Sequence, residues 1–352
     1  MKAGEFGLAS RGQAPYAPSE VIEVLNWDDQ IIRFGGERAG DNWPITWGAA
    51  DPLIYTAYGD GNGFAPRKAC YSLGFATLQG VPPVVRATDM LTNIDAPVGW
   101  GHDGIKASGL LMAGDALHLF VRNYQVDGDW RHARLAWSED FGRSWVWADW
   151  HFSESFGCPE FVQFGPNYAG ARDNYVYVVS QDGTSAYDFD PDIVLARVPI
   201  VLVPERSRYE FYAGLGADGG PVWSLDIADR KPIFTDPRGT QRIAVTYNRG
   251  IDRYFLTTAH DDGSGATHTP ALGVFDAPDP WGPWTTVYYD DAWADGWMIH
   301  HKFPTPWMSE DGTVMWLAFS GQYVPGGRDY CLLTRRATLS LKRENVRGEH
   351  LD

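Results

Sequence analysis

Two aspartates give the first chemical signal in this 352-residue chain. Asp41 stands in Gly40-Asp41-Asn42-Trp43-Pro44-Ile45-Thr46-Trp47, and Asp60 follows Ile54-Tyr55-Thr56-Ala57-Tyr58-Gly59. The two acids bracket one antiparallel hairpin, in which the start of one strand lies beside the end of the next. Both carboxylates therefore belong at one end of that hairpin. Close carboxylates split their pKa values, which leaves one as acid and the other as base or nucleophile. Glu160 and Asp103, which open later β units, extend the set. A carboxylate pair or trio across a sugar-sized pocket is what cleavage of a glycosidic bond needs. The plainer alternative makes Asp41 a turn cap and Asp60 a turn residue in Asp60-Gly61-Asn62-Gly63.

A second constellation is cationic. Lys106 lies in Ile105-Lys106-Ala107, Arg122 ends the partner strand, Arg172 sits in Ala171-Arg172-Asp173, and Tyr187 and His300-His301-Lys302 follow. Arg and Lys would neutralise a uronate while His or Tyr moves a proton, which is β-elimination chemistry. Salt bridges inside a channel are the structural alternative. Adjacent His300 and His301 point to opposite faces of a strand, so at most one faces such a site. The nine histidines show no ligand spacing for zinc. Clustered carboxylates permit a Ca²⁺ ion, though no cofactor is required. Trp43, Trp47 and Tyr58 are the aromatic candidates for sugar platforms, although strand alternation turns some of them to the core.

The elements that must position these residues are strands. Ile54–Tyr58, Leu117–Val121, Tyr175–Val179, Ile243–Tyr247 and Met315–Phe319 are β-branched and aromatic runs flanked by turn residues. Each follows a polar opening: Asp41-Asn42-Trp43, Asp103-Gly104-Ile105-Lys106, Pro159-Glu160, Gln241-Arg242 and His300-His301. The openings are spaced by 62, 57, 81 and 59 residues. Recurrent β units of this size indicate propeller blades, whose first strands point at a central channel. The fold expected is all-β, a five-bladed β-propeller; seven blades fit the openings less well. The last unit is one strand short, and residues 21–25 could supply that strand and close the ring. Short helical turns are expected near residues 209–213 and 222–227.

Two turns belong to this architecture. Ser138-Glu139-Asp140-Phe141-Gly142-Arg143-Ser144-Trp145 resembles the Asp-box of sialidase-like propellers, a structural turn on the outer rim. Gly282-Pro283-Trp284 is likewise structural.

Composition narrows the partners. A formal net charge of −16 and a pI near 4.9 argue against nucleic acid and anionic membranes. Cys70, Cys158 and Cys331 have no metal spacing and read as buried thiols. No apolar run is long enough to span a membrane. Residues 1–19 read as a disordered leader, or one of cloning origin, residues 20–342 as one catalytic propeller, and residues 343–352 as a tail. A secreted or periplasmic location is expected, with the signal peptide absent from this sequence; a cytoplasmic one stays open. Oligomeric state is unknown.

At these residues the chain resembles a bacterial family of five-bladed propellers of unknown function. The resemblance covers about residues 20–342. It rests on the hairpin from Asp41 to Gly63, Phe156-Gly157-Cys158-Pro159, residues 167–173, residues 303–309 and Phe319-Ser320-Gly321. That family is similar to endo-D-arabinanase propellers and, more distantly, to glycoside hydrolase families 43 and 32. The arabinanase-like pattern implies Asp41 and Asp60 as the catalytic pair. The family 43 and 32 pattern implies an acid at each of the first three blades, here Asp41, Asp103 and Glu160. Family 32 places Glu directly before Cys-Pro, where this chain has Gly157. The resemblance implies a glycoside hydrolase acting on an oligo- or polysaccharide, arabinofuranose-containing chains first. A uronate lyase and a non-catalytic glycan-binding propeller are the alternatives.

Overall fold

Strand-forming runs account for nearly all the regular structure in the computed structural model, which describes residues 12–342 except 51, 66–68, 98, 295 and 322–329. They assemble into five antiparallel blades. Blade 1 holds Ile45–Trp47, Leu53–Tyr58, Tyr71–Val81 and Val84–Met90, and blade 2 holds Lys106–Ala113, Ala116–Val126, Asp129–Ser138 and Val146–Phe152. Blade 3 begins with Glu160–Phe161, Tyr175–Gln181 and Asp190–Pro199. Its outer position is shared by Glu210–Leu215 and the first part of the long strand Pro232–Asn248. The rest of that strand is the innermost strand of blade 4, followed by Arg253–His260, Leu272–Ala277 and Thr285–Asp290. Blade 5 runs Met298–Lys302, Val314–Gly321 and Leu332–Leu341.

The ring is closed by the N-terminal strand Ile22–Phe34, which pairs with Leu332–Leu341 from Ile22↔Leu341 to Phe34↔Leu332. This covers the hydrogen-bonding edge that blade 5 would otherwise expose. Residues 16–19, which the sequence reading groups with the leader, pack on blade 4. Ser19 N donates to Thr286 O (2.8 Å), Thr286 N to Ala17 O (2.7 Å), and the Tyr16 ring packs on Phe234 at 4.9 Å. The N-terminal segment thus clips blade 4 before it completes blade 5. Residues 1–11 and 343–352 lie outside the described residues.

Blades pack face to face. The inner strand Lys106–Ala113 is buried at every position, because neighbouring blades cover both of its faces. The outer strand Val84–Met90 alternates between exposed and part-buried side chains. Phe120 stacks on Phe161 (4.8 Å) across blades 2 and 3, and Phe75 stacks on Trp145 (5.3 Å) across blades 1 and 2. The Asp-box forms as expected: Gly142 N donates to Ser138 Oγ (2.8 Å) and Ser144 N to Asp140 Oδ1 (2.8 Å), with Trp145 buried beneath. The expected helical turn at 209–213 is instead a strand, Glu210–Leu215, paired with Pro221–Ser224; 3₁₀ turns lie on either side, at Arg206–Arg208 and Ile227–Asp229. The β-branched and aromatic residues there find an open edge on blade 3, and ladder pairing prevails over local turn preference.

Candidate active site at the channel

All five innermost strands start on one face of the ring, and there the polar openings meet. In blade 1, Asp41 N donates to Gly59 O (2.8 Å) and Gly59 N to Asp41 O (2.9 Å), so Asp41 and Asp60 do share one end of the hairpin. A Cβ on Gly61 would fall 2.1 Å from Ala39 O, so only glycine lets the two segments approach this closely. Asp41 is 5% exposed and Asp60 7%. Burial first, and the Asp60 charge second, push the Asp41 carboxyl above its ordinary value; Tyr330, Lys106 and Arg122 oppose this. Tyr330 Oη donates to Asp41 Oδ2, while Asp41 Oδ1 is buried with no hydrogen-bond partner. Asp60 Oδ1 is held by Lys106 Nζ at 2.5 Å.

Glu160 opens the inner strand of blade 3 and is 1% exposed. Lys302 Nζ donates to its Oε2 at 2.9 Å, and His300 Nε2 lies 3.9 Å away. Burial pushes the Glu160 carboxyl up to about 7, against the pull of Lys302. Gly157 sits where family 32 has Glu, and the packing explains it. A Cβ there would lie 2.2 Å from the Thr184 carbonyl carbon, so no side chain fits and Glu160 carries the carboxylate of blade 3.

The cationic residues divide. Lys106, Arg122, Tyr187 and His300 belong to the channel; Arg122 Nη1 donates to Tyr187 Oη at 3.1 Å. His300 is buried among Lys302, Arg242 and Arg122. Burial and those charges hold it well below its ordinary value. His301 points the other way, toward His260, as strand alternation requires. Arg172 is not in this group. It lies at the opposite end of the first hairpin of blade 3, paired with Asp279 and 4.4 Å over Trp281. Asp103 sits on a 3₁₀ turn with its side chain 74% exposed, 3.3 Å from His102. The buried inner strand of blade 2 starts three residues later, so Lys106 takes the place beside Asp60.

The expected sugar platforms are also elsewhere. Trp43 (1% exposed) and Tyr58 (0%) pack on each other at 5.4 Å inside the core, and Trp47 lies at the far end of its strand, opposite Ile54. Part-buried Trp130 meets His102 at 4.9 Å and Tyr187 at 5.7 Å, and with Tyr187 lines a cleft of about 850 Å³.

Sequence reasoning missed several members of the site. Arg242 stands in the opening of blade 4, where the repeat alone could have singled it out as a site residue; Lys302 already belongs to the cationic constellation. Asn123, which donates to Tyr187 Oη at 3.0 Å, and Tyr330 carried no such signal. Backbone geometry links them: Asn42, Asp60, Asn123, Arg242 and His300 all adopt left-handed φ, between 50° and 61°. Ladder irregularities bracket three of these sites: Val121/Tyr124 around Asn123, Gln241/Ala244 around Arg242 and Ile299/Lys302 around His300. Bulges of this kind re-aim side chains, here into the channel. Asp60 and Glu160 each already face a lysine. Among the described residues no three His, Cys, Asp or Glu side chains form a metal cluster. Cys158 and Cys331 are buried and Cys70 is partly exposed.

Comparison with solved structures decides the fold. The GH43_1 enzyme from Xanthomonas citri is 13% identical, with a TM-score of 0.52 over 88% of this chain and 90% of that one. Its complex with xylotriose gives 13% identity and a TM-score of 0.50, over 89% and 92%. A protein from Bifidobacterium bifidum, described as a candidate exo-β-1,3-galactanase, is 9% identical with a TM-score of 0.52, over 93% and 99%. The chain is a five-bladed β-propeller. At these identities the likeness is one of fold. No family model matches the chain, and no curated protein matches its sequence.

Proposed function

We propose that this propeller is a glycoside hydrolase that cuts a polysaccharide at the channel mouth, with arabinofuranose-containing chains as the first substrates to try. One observation carries the reading: Asp41, buried beside Asp60, keeps one carboxylate oxygen free of any protein partner. Its raised pKa suits a proton donor. Asp60, charge-paired with Lys106, suits the base or nucleophile. Glu160, also raised, is the third carboxylate and the alternative acid. The solved propellers of the same fold include one bound to xylotriose, which supports a carbohydrate ligand. A secreted or periplasmic location belongs to the same proposal, since a polymer of this kind is met outside the cytoplasm.

The test is a panel of arabinans, arabinogalactans, xylans and uronate-rich gums, read for new reducing ends. Asp41→Asn and Asp60→Asn are expected to lose about 10²–10⁴-fold in kcat, whereas Asp103→Asn keeps native activity. Full activity in Asp41→Asn overturns the mechanism. A second reading, β-elimination at a uronate, is favoured by Tyr187. Burial pushes its phenol up, but Arg122 and Arg242 more than offset this and set it below its ordinary value. Products carrying the ultraviolet absorbance of an unsaturated uronate, with activity insensitive to Asp60→Asn, would select it.

A further inference from the structure

Buried charges in folded proteins are paired, because an isolated ion loses its hydration without compensation. The channel obeys this rule for its lysines. Lys106 holds Asp60 and Lys302 holds Glu160. Elsewhere a largely buried arginine does the same: Arg253 pairs with Asp276 at 2.7 Å. Arg122 and Arg242 break the pattern. Each is 2% exposed, and among the described residues neither forms an ion pair. They bracket one tyrosine: the guanidinium carbons of Arg122 and Arg242 lie 5.3 Å and 5.2 Å from the Tyr187 ring centre.

Their hydrogen bonds are also incomplete. Arg242 gives Nε to Ala186 O (2.8 Å) and Nη1 to Asn42 Oδ1 (3.3 Å). Arg122 gives Nη1 to Tyr187 Oη (3.1 Å) and to Asn123 Oδ1 (3.4 Å), and its Nε is buried with no partner. Both ring nitrogens of His300 beside them are likewise unpartnered. Among the described residues at the channel, four cations (Lys106, Arg122, Arg242 and Lys302) meet three carboxylates (Asp41, Asp60 and Glu160). That local excess stands inside a chain of net charge −16. Tyr187 connects it to the open face, where it lines a cleft together with Trp130, Arg131, Asp127, Asp129 and Asp188.

We propose that Arg122 and Arg242 form an oxyanion-binding subsite next to Asp41, so that the glycan taken by this site carries an acidic sugar. A carboxylate or a sulfate half-ester offers the paired oxygens that a guanidinium fork recognises. The bound anion supplies the counter-charge the protein leaves out. This inference rests on the channel being a glycan site, but it does not require cleavage.

The test is a calorimetric titration of the intact chain with glucuronate, galacturonate, the methyl ester of each, and inorganic sulfate, all at constant ionic strength. At least one anion is expected to bind about tenfold or more tightly than the neutral esters. A preference for a uronate assigns the subsite to carboxylates; a preference for sulfate assigns it to sulfate esters. Arg242→Gln is expected to erase the preference. Where that variant does not fold, Arg242→Lys, which keeps the charge and loses the fork, is expected to reduce it. Equal binding of anions and esters by the intact chain overturns the proposal, as does an undiminished preference in a folded Arg242 variant. Because binding alone is read, failure to find a cleavable substrate leaves this result standing, and cleavage of a neutral glycan without anion preference removes the subsite alone.

Discussion

Asp60 and Lys106 form a buried pair, and such pairs are most costly when one partner goes. Lys106→Met leaves the Asp60 charge uncompensated and is expected to destabilise the fold by about 3–5 kcal/mol. Adding Asp60→Asn to that variant recovers much of the loss in a denaturant titration; no recovery would mean that Lys106 acts through packing alone. Glu160 makes a pH statement. Its folded value, about 7, lies above the ordinary 4.5, so the folded state holds the proton more tightly than the unfolded chain. That contribution is complete below about pH 4.5 and is lost as pH rises through about 7. The native chain is expected to lose up to about 3 kcal/mol relative to Glu160→Gln across that window. Parallel stability curves for the two proteins would contradict it.

At the scale of elements, the blades separate rigidity from chemistry. The turn of blade 2, with its Asp-box, lies on the rim, and Trp145 plugs the gap between blades 1 and 2 against Phe75. Trp145→Ala is expected to cost about 3–5 kcal/mol while leaving kcat of the folded protein unchanged. A changed kcat at saturating substrate would show that the rim and channel are coupled. The inner strands do the opposite work: their bulged, left-handed openings sacrifice ladder regularity to aim Asn42, Arg242 and His300 inward.

For the whole molecule, closure is the decisive feature. The segment from Tyr16 to Phe34 clips blade 4 and completes blade 5, so two blades depend on residues far from them in sequence. Leu25 is fully buried in that strand. Leu25→Ala is expected to cost about 2–5 kcal/mol. Deleting residues 1–34 uncovers the edge of Leu332–Leu341, and the chain is expected to aggregate rather than unfold cooperatively. A soluble monomer with a sharp melting transition would show that four blades and a three-stranded fifth suffice.

The Asp-box turn and the meeting of Asp41 with Asp60 were legible in the chain because each depends on turn residues or one hairpin, which are short-range properties. The blade count came from the recurrence of the polar openings, and the ring closure from a missing last strand that residues near the N-terminus could supply, although that pairing joins the two ends of the chain. Glu160, Lys106, Arg122, Tyr187 and His300 were also placed near strand openings that face one another. Which openings reach the channel depends on tertiary packing. Arg172 and Asp103 have suitable chemistry, but one lies at the far end of its hairpin and the other on an exposed turn before its strand. Trp43 and Tyr58 look like platforms and are core, because the packing of neighbouring blades settles which face of a strand is covered. Asn123, Trp130 and Tyr330 were invisible as a group. They come from different blades and loops, and bulges at strand ends turn side chains away from the simple alternation that a sequence displays.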